Sequence, residues 1–361
     1  MSSKKKETLL ELKIGLTDYC NYQCIMCMQT AHKGIYGNPE IKVEPLHKDQ
    51  KGYMSFELFE KIIDDISRIK YKFKSISLQW LGESMLHKDL LKMIEYILNK
   101  NEENTFFEEL IFFTNASLLD EEKSERLSLL FEKYQRTTLI VVFSIDSASK
   151  ETYLKIHNVD NFEKVNSNIV YFLNKTKRLK NIYRIYRFLV MPENSFEAEK
   201  FLNFWAGITL NEYQLTWNEE KNFDIEKARD IINFKRVYSD ELLSVQRLHE
   251  EVIQRLGGEK SYFHSGDGER PPCAAPFRTP LVNWDGRLSV CYPDDRLELS
   301  LVTLEDNSFE SLWFGDKAQK MRKDILNRDF DKYDRCQRCG NYGGFPLRQS
   351  EIKLYGFEIK S

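Results

Sequence analysis

The sequence predicts an α/β protein: a partial (β/α)6 barrel followed by a small C-terminal module that carries cysteines. Three observations predict it. From Leu12 to Asn218 short apolar runs alternate with helical patterns, as in repeated βα units around a parallel sheet. The pattern breaks at Gly257-Gly258 and again through Gly266, Gly268, Pro271 and Pro272. The seven cysteines fall into two sets, with none between Cys27 and Cys273. The expected domains are therefore 1–218, the barrel; 219–272, a helical linker region; and 273–361, the cysteine module and tail. A chain of 361 residues, 42% of them apolar, can bury a large core beside a small one.

The expected strands are Leu12 to Leu16, Ser75 to Trp80, Leu110 to Thr114, Leu139 to Ile145, Tyr183 to Val190 and Tyr213 to Trp217. Amphipathic helices lie between them. One starts after an N-cap at Ser55, with Phe56, Phe59, Ile62, Ile63 and Ile66 on one face; another aligns Phe162, Val165, Ile169 and Phe172. Beyond Trp217 the chain turns helical and charged, notably Ser239 to Leu256, and Glu351 to Ile359 reads as a short terminal strand. Barrels of this kind carry their chemistry at the C-terminal strand ends. There Arg187, Asn194, Trp217 and Asn218 are candidate polar contacts for a substrate.

Lys and Arg total 53 against 56 for Asp and Glu, so the overall balance advertises neither a nucleic-acid nor a membrane surface. No apolar run reaches the ~20 residues of a membrane span, and Met1 to Leu10 lacks a signal-like core, so a cytoplasmic protein is expected. In that compartment cysteines serve as metal ligands or catalysts in preference to disulfides.

Cys20, Cys24 and Cys27 form a CxxxCxxC loop after the first strand. Three thiolates from one loop reach three irons of a cubane and leave the fourth open to an exogenous ligand. A zinc loop is the plainer reading. It normally needs a fourth ligand, for which His32 is the only nearby candidate. Cys273, Cys291, Cys336 and Cys339 could complete an all-thiolate tetrahedral zinc site or hold a fully ligated cluster. Cys291 ends an expected hairpin turning at Asp285-Gly286.

In the first cysteine motif the chain resembles the radical SAM (S-adenosylmethionine) superfamily, and further segments extend the resemblance over nearly the whole chain. Gly82-Glu83-Ser84 stands where that family carries Gly-Gly-Glu-Pro, with Leu81 and Ser84 replacing the first Gly and the Pro. Thr114-Asn115 resembles its Thr-Asn-Gly, and Ser144 with Asp146 its Ser-x-Asp. His157 stands where relatives carry an Arg, and Met26 where they carry an aromatic residue beside adenine. The resemblance implies SAM contacts at Gly82, Glu83, Ser84, Asn115, Ser144, Asp146 and His157. It also implies a 4Fe-4S cluster on the first three cysteines. The second set, with Pro276-Phe277, the Asp285-Gly286 hairpin and Ser311-Leu312-Trp313, resembles the SPASM/Twitch module. Four cysteines match its Twitch form, which implies one auxiliary 4Fe-4S cluster.

The resemblance implies an enzyme that forms a 5′-deoxyadenosyl radical, fed by an external electron donor such as flavodoxin or ferredoxin. The expected reaction is two-electron oxidation of a sugar, aminocyclitol or similar small metabolite. The alternatives are modification of a peptide or protein, another radical sugar transformation such as epimerisation or elimination, and a scaffold without SAM chemistry. The first cluster cysteine already stands at residue 20, which tilts the expectation away from a peptide-recognition domain ahead of the barrel.

Overall fold

The computed structural model describes residues 8–27, 29, 51–217, 227–237, 242–258, 270–337, 339 and 347–357. His32, Asn218, Gly266 and Gly268 lie outside them. The strands are β1 (Thr8–Ile14), β2 (Lys72–Ser77), β3 (Phe107–Thr114), β4 (Thr138–Ser144), β5 (Ile182–Val190), β6 (Gln214–Thr216), β7 (Asp230–Arg236), β8 (Leu281–Val282), β9 (Arg287–Ser289) and β10 (Ser300–Thr303). Two compact units divide the chain. Met1–Tyr19, Lys51–Ile111 and His264–Ser361 form one, Cys20–Gln50 and Phe112–Phe263 the other.

In the first unit β1, β2 and the start of β3 run parallel, and β8 joins the free side of β1, also parallel. Antiparallel β9 and β10 then extend the cysteine module outward. The helix Phe56–Arg68 begins as expected, with the Ser55 hydroxyl accepting the Leu58 N–H at 3.1 Å. Phe59, Ile62, Ile63 and Ile66 are fully buried, each contributing about 1.5–3 kcal/mol over an exposed position.

In the second unit β4, β5, β7 and β6 lie side by side in that order, all parallel. Leu139 to Phe143 are buried without alternation, because a parallel sheet is covered on both faces. Two expectations need correction here. The run Tyr213 to Trp217 gives only a three-residue, half-buried strand. The seventh strand, β7, lies between it and β5, inside the stretch expected to be helical. Leu242–Arg255 is helical, as the pattern around Ser239 to Leu256 indicated.

The terminal segment is also corrected. Gln349–Leu354 is a helix, started by the Glu351 carboxylate accepting the Arg348 N–H at 2.7 Å. Glu351 also receives the Arg278 guanidinium, and Tyr355 Oη donates to Phe277 O at 2.9 Å. The end of the chain is thereby tied to Ala275–Arg278, the helix just after Cys273. No described helix is long and apolar enough to cross a membrane.

Candidate active site

In the second unit the cysteine loop leans on one short helix, Lys150–His157. The last carbonyls of a helix lack intrahelical partners. Here Ile156 O accepts the Ile25 N–H at 2.9 Å and His157 O the Gln23 N–H at 3.4 Å. Cys24 is thus held between two anchored neighbours. The N-terminal end of the same helix rests on the buried Glu197 carboxylate. That group accepts the Ala148 N–H at 2.7 Å and the Thr152 hydroxyl at 2.9 Å, and also the Ser149 hydroxyl. A carboxylate at the positive end of a helix is favourable by charge as well as by hydrogen bonding.

Cys24, Cys27 and Cys20 lie close enough that each neighbour opposes ionisation of Cys24. Burial pushes that thiol well up, and Asp146 adds to the effect. Asn115, after β3, reaches the same loop. Its Nδ2 donates to Asn21 Oδ1 at 2.9 Å, its Oδ1 accepts from the Ser117 hydroxyl at 2.7 Å, and Asn21 Nδ2 donates to Ser117 Oγ at 2.9 Å.

His157 is buried and has a protein partner at each ring nitrogen. Its Nε2 bonds Ile145 O at 2.9 Å and its Nδ1 lies 3.1 Å from Cys24 Sγ. Burial depresses it to about 4, so the ring is neutral. It then donates through Nε2, and Nδ1 accepts from the thiol. Asp146, in a left-handed conformation (φ 58°), is fully buried and raised to about 7 by desolvation. Its Oδ1 accepts the Leu189 N–H at 2.7 Å, and Oδ2 is buried without a hydrogen-bond partner. An unsatisfied carboxylate oxygen is costly. Ser144 ends β4, half-buried.

Asn194, a candidate by strand-end position, is structural: its amide donates to Asp146 O and Leu189 O, both at 2.8 Å, and its Oδ1 accepts the Met191 N–H. Trp217 stacks on Phe234 at 5.8 Å. Arg187 donates to Asn233 Oδ1 at 3.3 Å and lies over the Phe113 ring. Met26 packs against an apolar cluster of Ile156, Met191, Val237 and Val245.

In the first unit, Gly82 passes so close to the chain ahead of Cys20 that a Cβ there would lie 2.3 Å from Thr17 O and 2.6 Å from Tyr19 O. Glu83 N–H donates to Tyr19 O at 2.9 Å, and the buried Glu83 carboxylate accepts the Met85 N–H at 3.0 Å. The Ser84 hydroxyl donates to Leu78 O. Trp284, from the cysteine module, donates to Asp18 Oδ2 at 2.7 Å. Burial raises that carboxyl to about 6 against the indole bond. Trp80 Nε1 donates to Tyr292 O at 2.8 Å. Sequence reading missed Asn21, Ser117, Glu197, Asp18 and Trp284, since their partners lie far along the chain.

The expected Asp-Gly hairpin is present. Asn283 N–H donates to Arg287 O at 2.9 Å and Gly286 takes φ 81°; a Cβ at Gly286 would also lie 2.8 Å from Thr303 Oγ1. Burial raises Cys273, and raises Cys291 well above the ordinary thiol range. Cys336 goes to about 11, also through burial. In each case other thiols of the set oppose ionisation further, and Cys339 acts on all three. Among the described residues no group of three or more His, Cys, Asp or Glu closes around a single metal-ion position. The donors are nonetheless of one chemical kind in each set, thiols that influence one another. Such donors fit a thiolate-ligated cluster, whose binding would release their protons.

The model for the radical SAM superfamily matches residues 14–204, and SPASM, an iron-sulfur cluster-binding domain, matches residues 273–340. Three similar solved structures show the same fold. BtrN in complex with AdoMet and 2-DOIA is 15% identical, with 96% of this chain and 98% of that one covered and a TM-score of 0.50. Native anSMEcpe with bound AdoMet and Cp18Cys peptide is 16% identical, with 96% of each chain covered and a TM-score of 0.55. Streptococcus suis SuiB bound to S-adenosylmethionine is 13% identical, with 97% of this chain and 73% of that one covered and a TM-score of 0.56. The comparison with curated proteins gave no match.

Proposed function

The chain belongs to the radical SAM superfamily and carries a SPASM domain, and from that premise we propose that it oxidises a small polar metabolite by two electrons. A SAM-binding 4Fe-4S cluster and an auxiliary iron-sulfur cluster come with these domains. Bound at their sites, the cofactors supply a 5′-deoxyadenosyl radical and an acceptor for a second electron. Cys20, Cys24 and Cys27 would hold the first cluster, and Cys273, Cys291, Cys336 and Cys339 the second. External reduction by flavodoxin or ferredoxin belongs to the same proposal.

One observation carries the choice of reaction: the seven cysteines divide into three and four with no remainder. A radical epimerase must return a hydrogen atom to its substrate, and a thiol is a common donor for that step. Here every thiol is committed. The substrate therefore gives one hydrogen atom to the 5′-deoxyadenosyl radical, then releases a proton and an electron. BtrN was solved with 2-DOIA and anSMEcpe with a peptide, so the shared fold leaves the substrate class open. The test is incubation with candidate substrate, one equivalent of SAM and deuterated water. Oxidation yields a ketone or similar product, one 5′-deoxyadenosine per turnover and no deuterium at the abstracted carbon. An isomer carrying one deuterium there would establish epimerisation instead, and a modified peptide would move the substrate class.

The residues proposed to hold SAM are Gly82, Glu83, Ser84, Asn115, Ser144, Asp146 and His157. Glu83 is the anionic member, fixed beside the root of the cysteine loop through Tyr19 O. A charge-assisted hydrogen bond to an ammonium contributes about 1.5–3 kcal/mol. Glu83→Gln should thus weaken SAM binding by roughly 10- to 100-fold with iron content unchanged. Equal SAM affinity at equal iron would remove Glu83 from the site.

A further inference from the structure

We propose that Arg270 is a positioning residue for the second cysteine set, its fixed positive charge raising the reduction potential of the cluster those four thiols hold. The inference rests on the reading that the set binds an iron-sulfur cluster. Arg270 is tied to the set twice. Along the chain only Pro271 and Pro272 separate it from Cys273, and proline rings restrict the backbone there. Across space its Nη1 donates to the carbonyl of Cys336 at 2.6 Å.

The guanidinium also lies over the Phe330 ring, 3.9 Å from its centroid. Phe330 opens a short 3-10 turn, and the Tyr333 carbonyl just beyond accepts the Cys336 N–H at 2.9 Å. A cation clamped by a ring on one face and a carbonyl at its edge cannot swing into solvent as a surface side chain does. Its charge is thereby held beside two cysteines of the set, hydrogen-bonded to the backbone of Cys336 and a few residues ahead of Cys273.

The sign for a cluster follows from Coulomb's law. A fixed positive charge beside the ligands favours the reduced cluster, which carries one more negative charge than the oxidised one. A raised potential suits a group that accepts an electron from a substrate radical.

The test is potentiometric EPR of the anaerobically reconstituted full chain in the Cys20, Cys24, Cys27→Ala background, which isolates the second cluster. Arg270→Gln should shift its potential to more negative values, while Arg270→Lys stays close to the parent. Equal shifts in both variants would mark the role as packing alone, and no shift in either would overturn the inference outright. If Arg270→Gln loses iron, Phe330→Leu keeps the charge but releases its clamp; a smaller shift in the same direction is expected, and none would count against the proposal. A parent that holds zinc and shows no second-cluster signal would overturn the cluster reading along with the inference.

Discussion

Replacing Cys20, Cys24 and Cys27 together with Ala is expected to lower iron from about eight to about four atoms per chain. It should also reduce 5′-deoxyadenosine formation to background. The three thiols sit in one loop whose backbone is fastened independently of any metal, through Gln23 and Ile25 to the helix end and through Asn21 to Ser117. Removing the sulfurs therefore takes away ligands without taking away the loop, and the protein should remain folded by circular dichroism. The second set lies in residues 273–339, in the other compact unit, and should keep its iron. Eight irons retained in the triple variant, or undiminished 5′-deoxyadenosine, would show that these cysteines are not the site of SAM cleavage. Tightly bound zinc in the remaining set would refute the division into two clusters.

Much of the fold was legible because parallel strands covered on both faces must be apolar throughout. Leu139 to Phe143 could hardly be anything else, and Tyr183 to Val190 reads as a strand despite Arg184 and Arg187. β7 was hidden for an opposite reason. Its sequence, Asp-Ile-Ile-Asn-Phe-Lys-Arg, carries charge at both ends, and its first charge is answered by Arg184, far back along the chain. The terminal helix was misread because Glu351 to Ile359 alternates over too few residues to separate a period of 2 from one of 3.6. Its start depends on Glu351 meeting Arg278, a pairing that no local pattern reveals.

The site divides along the same line. Cysteine spacing is local, so both sets were readable as sets. Single polar residues at strand ends were not, because position does not say whether a side chain faces a ligand or the protein. Asn194 and Ser84 bind backbone carbonyls, and His157 binds a cysteine that was itself taken for a ligand. Asn21, by contrast, sits inside the motif at a position free to vary, and only the fold shows that it fastens the loop to Asn115 and Ser117.

Asp230→Ala is expected to destabilise the protein by about 3–5 kcal/mol, the cost of leaving a buried charge without its partner. Asp230 and Arg184 face each other directly in the parallel register of β7 and β5. The pair is bidentate, at 2.7 and 2.8 Å, and Tyr186 donates a third bond to the same carboxylate at 2.8 Å. Arg184 is only 1% exposed, so water cannot replace the lost carboxylate. Both residues lie toward the N-terminal ends of their strands, where such folds place stability and not chemistry. The effect should thus appear in the midpoint of urea unfolding and leave SAM affinity and iron content of the folded protein unchanged. Replacing both charges, as in Arg184→Met with Asp230→Leu, should recover part of the loss, because an apolar pair leaves no orphaned charge. An unfolding midpoint that does not move in Asp230→Ala, or SAM binding that falls while the midpoint holds, would place Asp230 in the site and not in the frame.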